Sequence, residues 1–179
     1  DAGPQHMDWN PHAVVPRMSS TVVAHERGVE AARWVLERLE DGDLDRRLLL
    51  LEWVRLLLER APLIEPLGLK DILLRRASDP VAEVANKVTL CLAKAIEADR
   101  DFGHQLALRL HEREETLVRR AMADVLTRLF RRLTWDALPL LDDMLTSDDE
   151  GVLAAASATV GDVKYLDLSL IHISEPTRR

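Results

Sequence analysis

Apolar residues recur at a fixed offset of 34 positions along most of this chain, and that period constrains the fold more than any other feature. Laid over itself at that offset, the sequence aligns Leu50, Val84, Val118 and Val152. It also aligns Val54, Val88, Met122 and Ala156, then Leu57, Cys91, Val125 and Thr159, then Leu58, Leu92, Leu126 and Val160. These columns stand four, three and one positions apart, which is one face of an α-helix. Between them Ile72, Leu106 and Leu140 align beside Leu73, Ala107 and Leu141. Each period therefore holds two antiparallel amphipathic helices. Such a pair cannot bury its apolar face alone, so successive pairs must stack. The period predicts an all-α fold: a right-handed α-solenoid of antiparallel helix pairs, with about eight helices. Its units fall near 45–78, 79–112 and 113–146, with a truncated one over 147–167.

The 3.6-residue pattern places helices near 20–39, 44–60, 67–77, 80–98, 101–111, 116–132, 135–145 and 149–160. Asp41-Gly42 closes the first. Asp79 before Pro80 reads as an N-cap with proline at the first helical position. Thr116, Thr134 and Ser147 or Asp148 read as further N-caps, and Gly161 as a C-terminal stop. No segment alternates with period two, so strands are not required.

Composition agrees. Leu, Ala, Arg and Glu dominate, and they lose little side-chain freedom in helices. The chain is 47% hydrophobic and 31% charged, a globular balance with enough apolar material for one core. A net charge of −7 disfavours a broad nucleic-acid or anionic-membrane surface while leaving local basic patches open. No run reaches the roughly 18–20 apolar residues of a membrane span; Leu48 to Arg60 comes nearest and is interrupted by Glu52, Arg55 and Glu59. The single cysteine, Cys91, cannot form an internal disulfide, which points to a reducing cytoplasm.

The segment "DALPLLDDMLTSDDEGVLAAASATVGDV", Asp136 to Val163, resembles the HEAT/armadillo-type repeat. Weaker copies are "DPVAEVANKVTLCLAKAI" at 79–96 and "ETLVRRAMADVLTRLF" at 115–130. Val118-Arg119 matches the family's Val-Arg pair, whereas Val84-Ala85 and Val152-Leu153 depart from it. The resemblance covers about residues 45–163. It implies a stacked helical fold and a protein or peptide bound on the solenoid surface. A tetratricopeptide reading also fits the period, but that family's Trp, Gly-Tyr and Ala positions are not met.

Signatures of catalysis are missing from the sequence. His104 and His111 stand two turns apart, too far to share one ion, and no His-Glu-x-x-His pair or Gly-x-Ser-x-Gly elbow occurs. The seven glycines are scattered singly, and Gly103 reads as punctuation. Cys91 falls in a core column, where it is a small buried hydrophobe rather than a nucleophile. Asp148, Asp149 and Glu150 suit the positive end of a helix. No catalytic residue, cofactor or metal ligand is assigned.

One constellation is basic. Arg113, Arg119, Arg120, Arg128, Arg131 and Arg132 share a stretch with only Glu114, Glu115 and Asp124 as acids, and Trp135 follows. Arg120, Asp124 and Arg128 are spaced for an i, i+4 ladder on an outer face. A solvated charged face is the plain reading; an electrostatic patch of Arg119, Arg120, Arg131 and Arg132, with Trp135, is the candidate partner-binding site. Trp135-Asp136 invites comparison with HEAT-like DNA glycosylases of the alkylation-repair type, which use Arg, Trp and a catalytic Asp on a concave surface. That resemblance stops at the dipeptide, and nucleic acid is the second choice of partner. The leading expectation is a non-enzymatic protein-interaction scaffold. Trp34 and Trp53 read as core residues.

The ends read differently. Residues 1–19, with Pro4, Pro11 and Pro16 and an isolated Trp9, suit an extended arm. The chain opens on Asp1 with no initiator Met, which suggests a fragment of a larger protein. At the other end the 34-residue register would place Ser174 and Glu175 in apolar columns. Leu168 to Arg178 instead resembles the in-frame translation of a transposase-type sequencing-library adapter. Residues 168–179 are therefore expected to be a non-native tail.

Overall fold

The computed structural model describes residues 27–166. The arm at 1–19, residues 20–26 of the first expected helix and the tail at 168–179 lie outside them. The described residues form α1 (Gly28–Glu40), α2 (Leu44–Leu57), the single turn α3 (Ala61–Ile64), α4 (Leu69–Ala77), α5 (Ala82–Thr89) and α6 (Leu92–Ala98). Then come α7 (Arg100–His111), α8 (Thr116–Leu133), a 3-10 turn (Thr134–Ala137), α9 (Leu138–Leu145) and α10 (Glu150–Leu166). No strand occurs among these residues.

The helices stack as an α-solenoid. One layer runs α2, α5, α8, α10, each packed on the next. Behind it α4 packs on α5 and α7, α7 on α6 and α8, and α9 on α10. The aligned apolar columns face the space between the layers: Leu50, Val84, Val118 and Val152 are buried, as are Val54, Val88, Met122 and Ala156. Val125 is half-buried and Val160, on the last described helix, is exposed. Trp53 is buried as expected, but Trp34 is 57% exposed. It lies on the outer side of α1 beneath the Arg38 guanidinium, 5.1 Å from the ring centroid, so its role is not core packing.

Helix boundaries depart from the sequence reading where side chains outside the local segment intervene. The helix expected over 80–98 is broken at Leu90–Cys91. There the backbone switches to three-residue spacing, Leu90 N–H donating to Lys87 O and Cys91 N–H to Val88 O. The Thr89 hydroxyl donates to Asn86 O at 2.6 Å, the back-bonding that bends helices. Asp79 does not cap that helix. Its carboxylate accepts from Val81 N–H at 2.9 Å in an Asx turn, and the helix starts only at Ala82, so Pro80 stays outside it. The side chains that do cap are Asp43 on Arg46 N–H, Asp99 on Phe102 N–H and Asp149 on Val152 N–H. Ser147 instead accepts from Asp149 N–H. Thr116 is the first residue of α8 rather than its cap. Gly161 does not stop α10, which runs to Leu166.

Thr134 is not an N-cap either. It ends α8 with φ 51°, unusual for a β-branched residue. Arg100 pins the strained corner from both sides, donating to Leu133 O at 2.9 Å and to Asp136 at 2.7 Å. Gly68, at φ 63°, makes the left-handed turn into α4 that a side chain would resist.

Candidate interaction surface

α8 is the hub of the described structure, touching α5, α6, α7, α9 and α10. Its apolar stripe of Val118, Met122, Leu126, Leu129 and Leu133 is buried, and its arginines are left to the other faces. Consecutive helical residues are turned about 100° apart, and that rotation divides the expected patch. Arg120 and Arg131 lie three turns apart on one exposed outward line. Arg119 is rotated to one side, half-buried beside Leu110, His111, Met122 and Met144. It also borders a polar hollow of about 270 Å³ with Glu114, Asp143, Asp148 and Asp149. Arg132 is rotated to the opposite side, where it pairs with Glu97 of α6. Trp135 is 43% exposed on the 3-10 turn. The structure thus sets Arg120 and Arg131 on one face of α8, about 16 Å apart at about 1.5 Å per residue, and separates Arg119 from Arg132.

The expected ladder through Arg120, Asp124 and Arg128 does not form. Arg120 instead reaches Asp149 at the start of α10, with Nε and both carboxylate oxygens at 3.2 Å. That bond, with the Val152 N–H, holds the Asp149 carboxyl below its usual pKa. Asp124 and Arg128 have no ion-pair partner among the described residues.

Other charges join successive helix pairs. Glu52 on α2 pairs with Lys87 on α5, Glu59 with Lys94, Glu40 with Arg75 and Glu97 with Arg132. In each pair the base follows the acid by 35 residues, one repeat plus one. Burial opposes the Glu52 carboxylate, yet the bond and charge of Lys87, helped by Arg55, keep its pKa below the ordinary value. Deeper still is Asp79, whose side chain is fully buried. It receives Arg47 Nε at 3.1 Å and Arg76 Nη1 at 2.8 Å. Arg113, one repeat later, donates to the Asp79 carbonyl at 2.8 Å. These contacts fasten one repeat to the next.

Two acid-base features are structural as well. His111 Nε2 meets Asp143 at 2.9 Å, joining α7 to α9. Cys91 is buried, its thiol donating weakly to Leu51 O and Lys87 O, and burial pushes its pKa to about 12. No group of His, Cys, Asp and Glu able to hold a metal occurs among the described residues. None of their helices is long and apolar enough to cross a membrane.

A third hollow was not visible in the sequence. About 170 Å³ in volume, it lies where α5 gives way to α6 and is lined by Arg55 of α2, Leu90 at the break, and Val125, Arg128, Leu129 and Arg132 of α8. Arg128 and Arg132 belong to the basic stretch read in the sequence, but nothing local links them to Arg55 or Leu90.

The chain is similar in structure to two solved proteins. One is a designed armadillo repeat protein in complex with the peptide (KR)4: TM-score 0.54, 15% identity, 82% of this chain and 72% of that one. The other is an engineered protein determined as a Northeast Structural Genomics Consortium target: TM-score 0.51, 13% identity, 88% of this chain and 75% of that one. At these identities the likeness shows the fold, an armadillo-type helical repeat. No protein-family model and no curated protein matches the chain.

Proposed function

We propose that this armadillo-type chain is a non-enzymatic interaction module that holds an extended peptide or protein segment along its stacked helices. The observation that carries the reading is the layer α2, α5, α8, α10. Its buried apolar stripes are consumed in stacking, while α2, α5 and α8 leave charged side chains exposed, among them Arg46, Glu83, Arg120 and Arg128. Such a surface suits a partner read residue by residue along the stack. The designed armadillo neighbour, bound to a peptide, supports the same reading. Arg120, Arg131 and Trp135 remain candidate contacts within it, with Arg119 and Arg132 as its flanks.

The nucleic-acid alternative gains nothing from Trp135-Asp136. The Asp136 carboxylate is occupied by Arg100, which ties it to the end of α8. Selection from a random displayed-peptide library on the immobilised chain tests the proposal. Enriched peptides whose binding protects backbone amides of α2, α5, α8 or α10 from hydrogen exchange are expected. Failure of any peptide to enrich over the heat-unfolded chain would remove the reading.

A further inference from the structure

The hollow at the α5–α6 break joins an exposed aliphatic side chain to a cationic rim. Leu90, turned outward where the helix is interrupted, is 54% exposed. Arg55, Arg128 and Arg132 stand around it, with Val125 and Leu129 completing an apolar side. No carboxylate lines it. Its neighbours neutralise it only in part. Of the three arginines that line it, Arg55 shares Glu52 with Lys87, Arg132 is paired with Glu97, and Arg128 has no partner among the described residues.

A guanidinium without a carboxylate beside an exposed leucine is complementary to a ligand that presents an anionic and an aliphatic side chain on one face. Arginine's planar fork matches a carboxylate through two parallel hydrogen bonds, and those bonds strengthen where apolar side chains exclude water. In an extended chain residues i and i+2 share a face, so an acidic residue over Arg128 sets the residue two positions away, not its immediate neighbour, towards Leu90. Burying Leu90 then adds the apolar contribution to the charge-assisted one.

We propose that this hollow binds an acidic-aliphatic peptide, its carboxylate on Arg128 between Arg55 and Arg132 and its aliphatic residue on Leu90 and Leu129. The site deepens the interaction-module reading and rests on it, while giving the module a charge preference. That preference is opposite to the Lys-Arg peptide held by the designed armadillo neighbour.

Fluorescence anisotropy on the full chain at low salt tests this with three labelled probes: an octapeptide repeating Glu-Ser-Leu-Ser, a Lys-Arg alternating octapeptide and an oligo-dT of equal length. The acidic peptide is expected to bind and the basic one not to. Arg128→Glu and Leu90→Asp, both at solvent-accessible positions and both checked for helix content by circular dichroism, should each weaken the acidic peptide at least tenfold, about 1.4 kcal/mol. Arg109→Glu, at an exposed position of α7 that does not line the hollow, should change it less than about threefold. Binding that ignores Arg128→Glu and Leu90→Asp would overturn the site while leaving the interaction module standing. Equal binding of oligo-dT with the same dependence on Arg128 would overturn the acidic-peptide assignment in favour of a phosphate backbone. If the acidic peptide does not bind but the displayed library yields other peptides, the inference fails and the module survives. If the library also yields none, both fail.

Discussion

Gly103 on α7 lies against the backbone of Ile96 on α6, so close that a Cβ at position 103 would stand 2.6 Å from the Ile96 Cα and 2.8 Å from its nitrogen. The residue is no loop punctuation. It sits in the first turns of α7 and lets two consecutive helices touch backbone to backbone. Gly103→Ala must push α6 and α7 apart, because the obstruction is main chain and cannot rotate away. Overpacking of this kind costs about 1–3 kcal/mol. A melting temperature lowered by several degrees is expected by circular dichroism, and an unchanged value would show that the contact is looser than described.

Asp79 offers a contrast between charge and hydrogen bond. Its buried carboxylate receives Arg47, Arg76 and the Val81 N–H. Asp79→Ala leaves two guanidinium groups facing an empty site and is expected to cost about 3 kcal/mol or more. Asp79→Asn keeps an acceptor for Val81 and should cost less. Chemical denaturation of both variants decides; equal losses would mean that the hydrogen bond to the turn adds nothing beyond the ion pairing.

The Cys91 thiol should be inert in the native protein. Burial disfavours the thiolate and raises its pKa to about 12, so at about pH 8 almost none is ionised. Ellman's reagent is expected to titrate no thiol under those conditions until denaturant is added, and one thereafter. Rapid reaction in native buffer would contradict the buried position.

Acid should loosen the stack from its carboxylates. The Phe102 N–H and then Lys70 hold Asp99 below its usual pKa, and Arg120 with the Val152 N–H does so for Asp149. Glu52 is lowered too. A depressed folded-state pKa adds stability that is fully present above the unfolded value, near about 4, and lost as pH falls through the folded one. Thermal stability should therefore stay level between about pH 7 and about pH 5 and drop below about pH 4. In Asp149→Asn the amide oxygen can still accept from Val152 but the charge is gone. Its melting point should fall less steeply in acid than that of the parent chain; parallel curves would show that Asp149 contributes nothing to the acid response.

Part of the interaction surface is legible in the amino-acid sequence. The paired acids and bases offset by 35 residues, Glu52 with Lys87 and Glu59 with Lys94, are a repeat signal read at one position beyond the apolar period. Asp43, Asp99 and Asp149 each precede a helix and cap it, but so placed an acid need not cap, as Asp79 shows, so the caps are not legible from position alone. The hollow around Arg128 is no more legible. Arg55 and Leu90 are distant in sequence from Arg128 and Arg132, and only the packing of α2, α5 and α8 brings the four to one hollow.

The sequence by itself determined that this chain is a stack of helix pairs. Burial at i, i+3 and i+4 is a local demand that repeats every 34 residues, and only stacking meets it. Which arginines stand together was decided by the tertiary structure alone. Adjacent residues on a helix point about 100° apart, so Arg119 and Arg132, close in sequence, face different neighbours. Arg55 and Arg128 come together because α2, α5 and α8 are laid side by side. Charge placement on a solenoid follows from stacking geometry, and stacking is a relation between repeats that no single repeat contains.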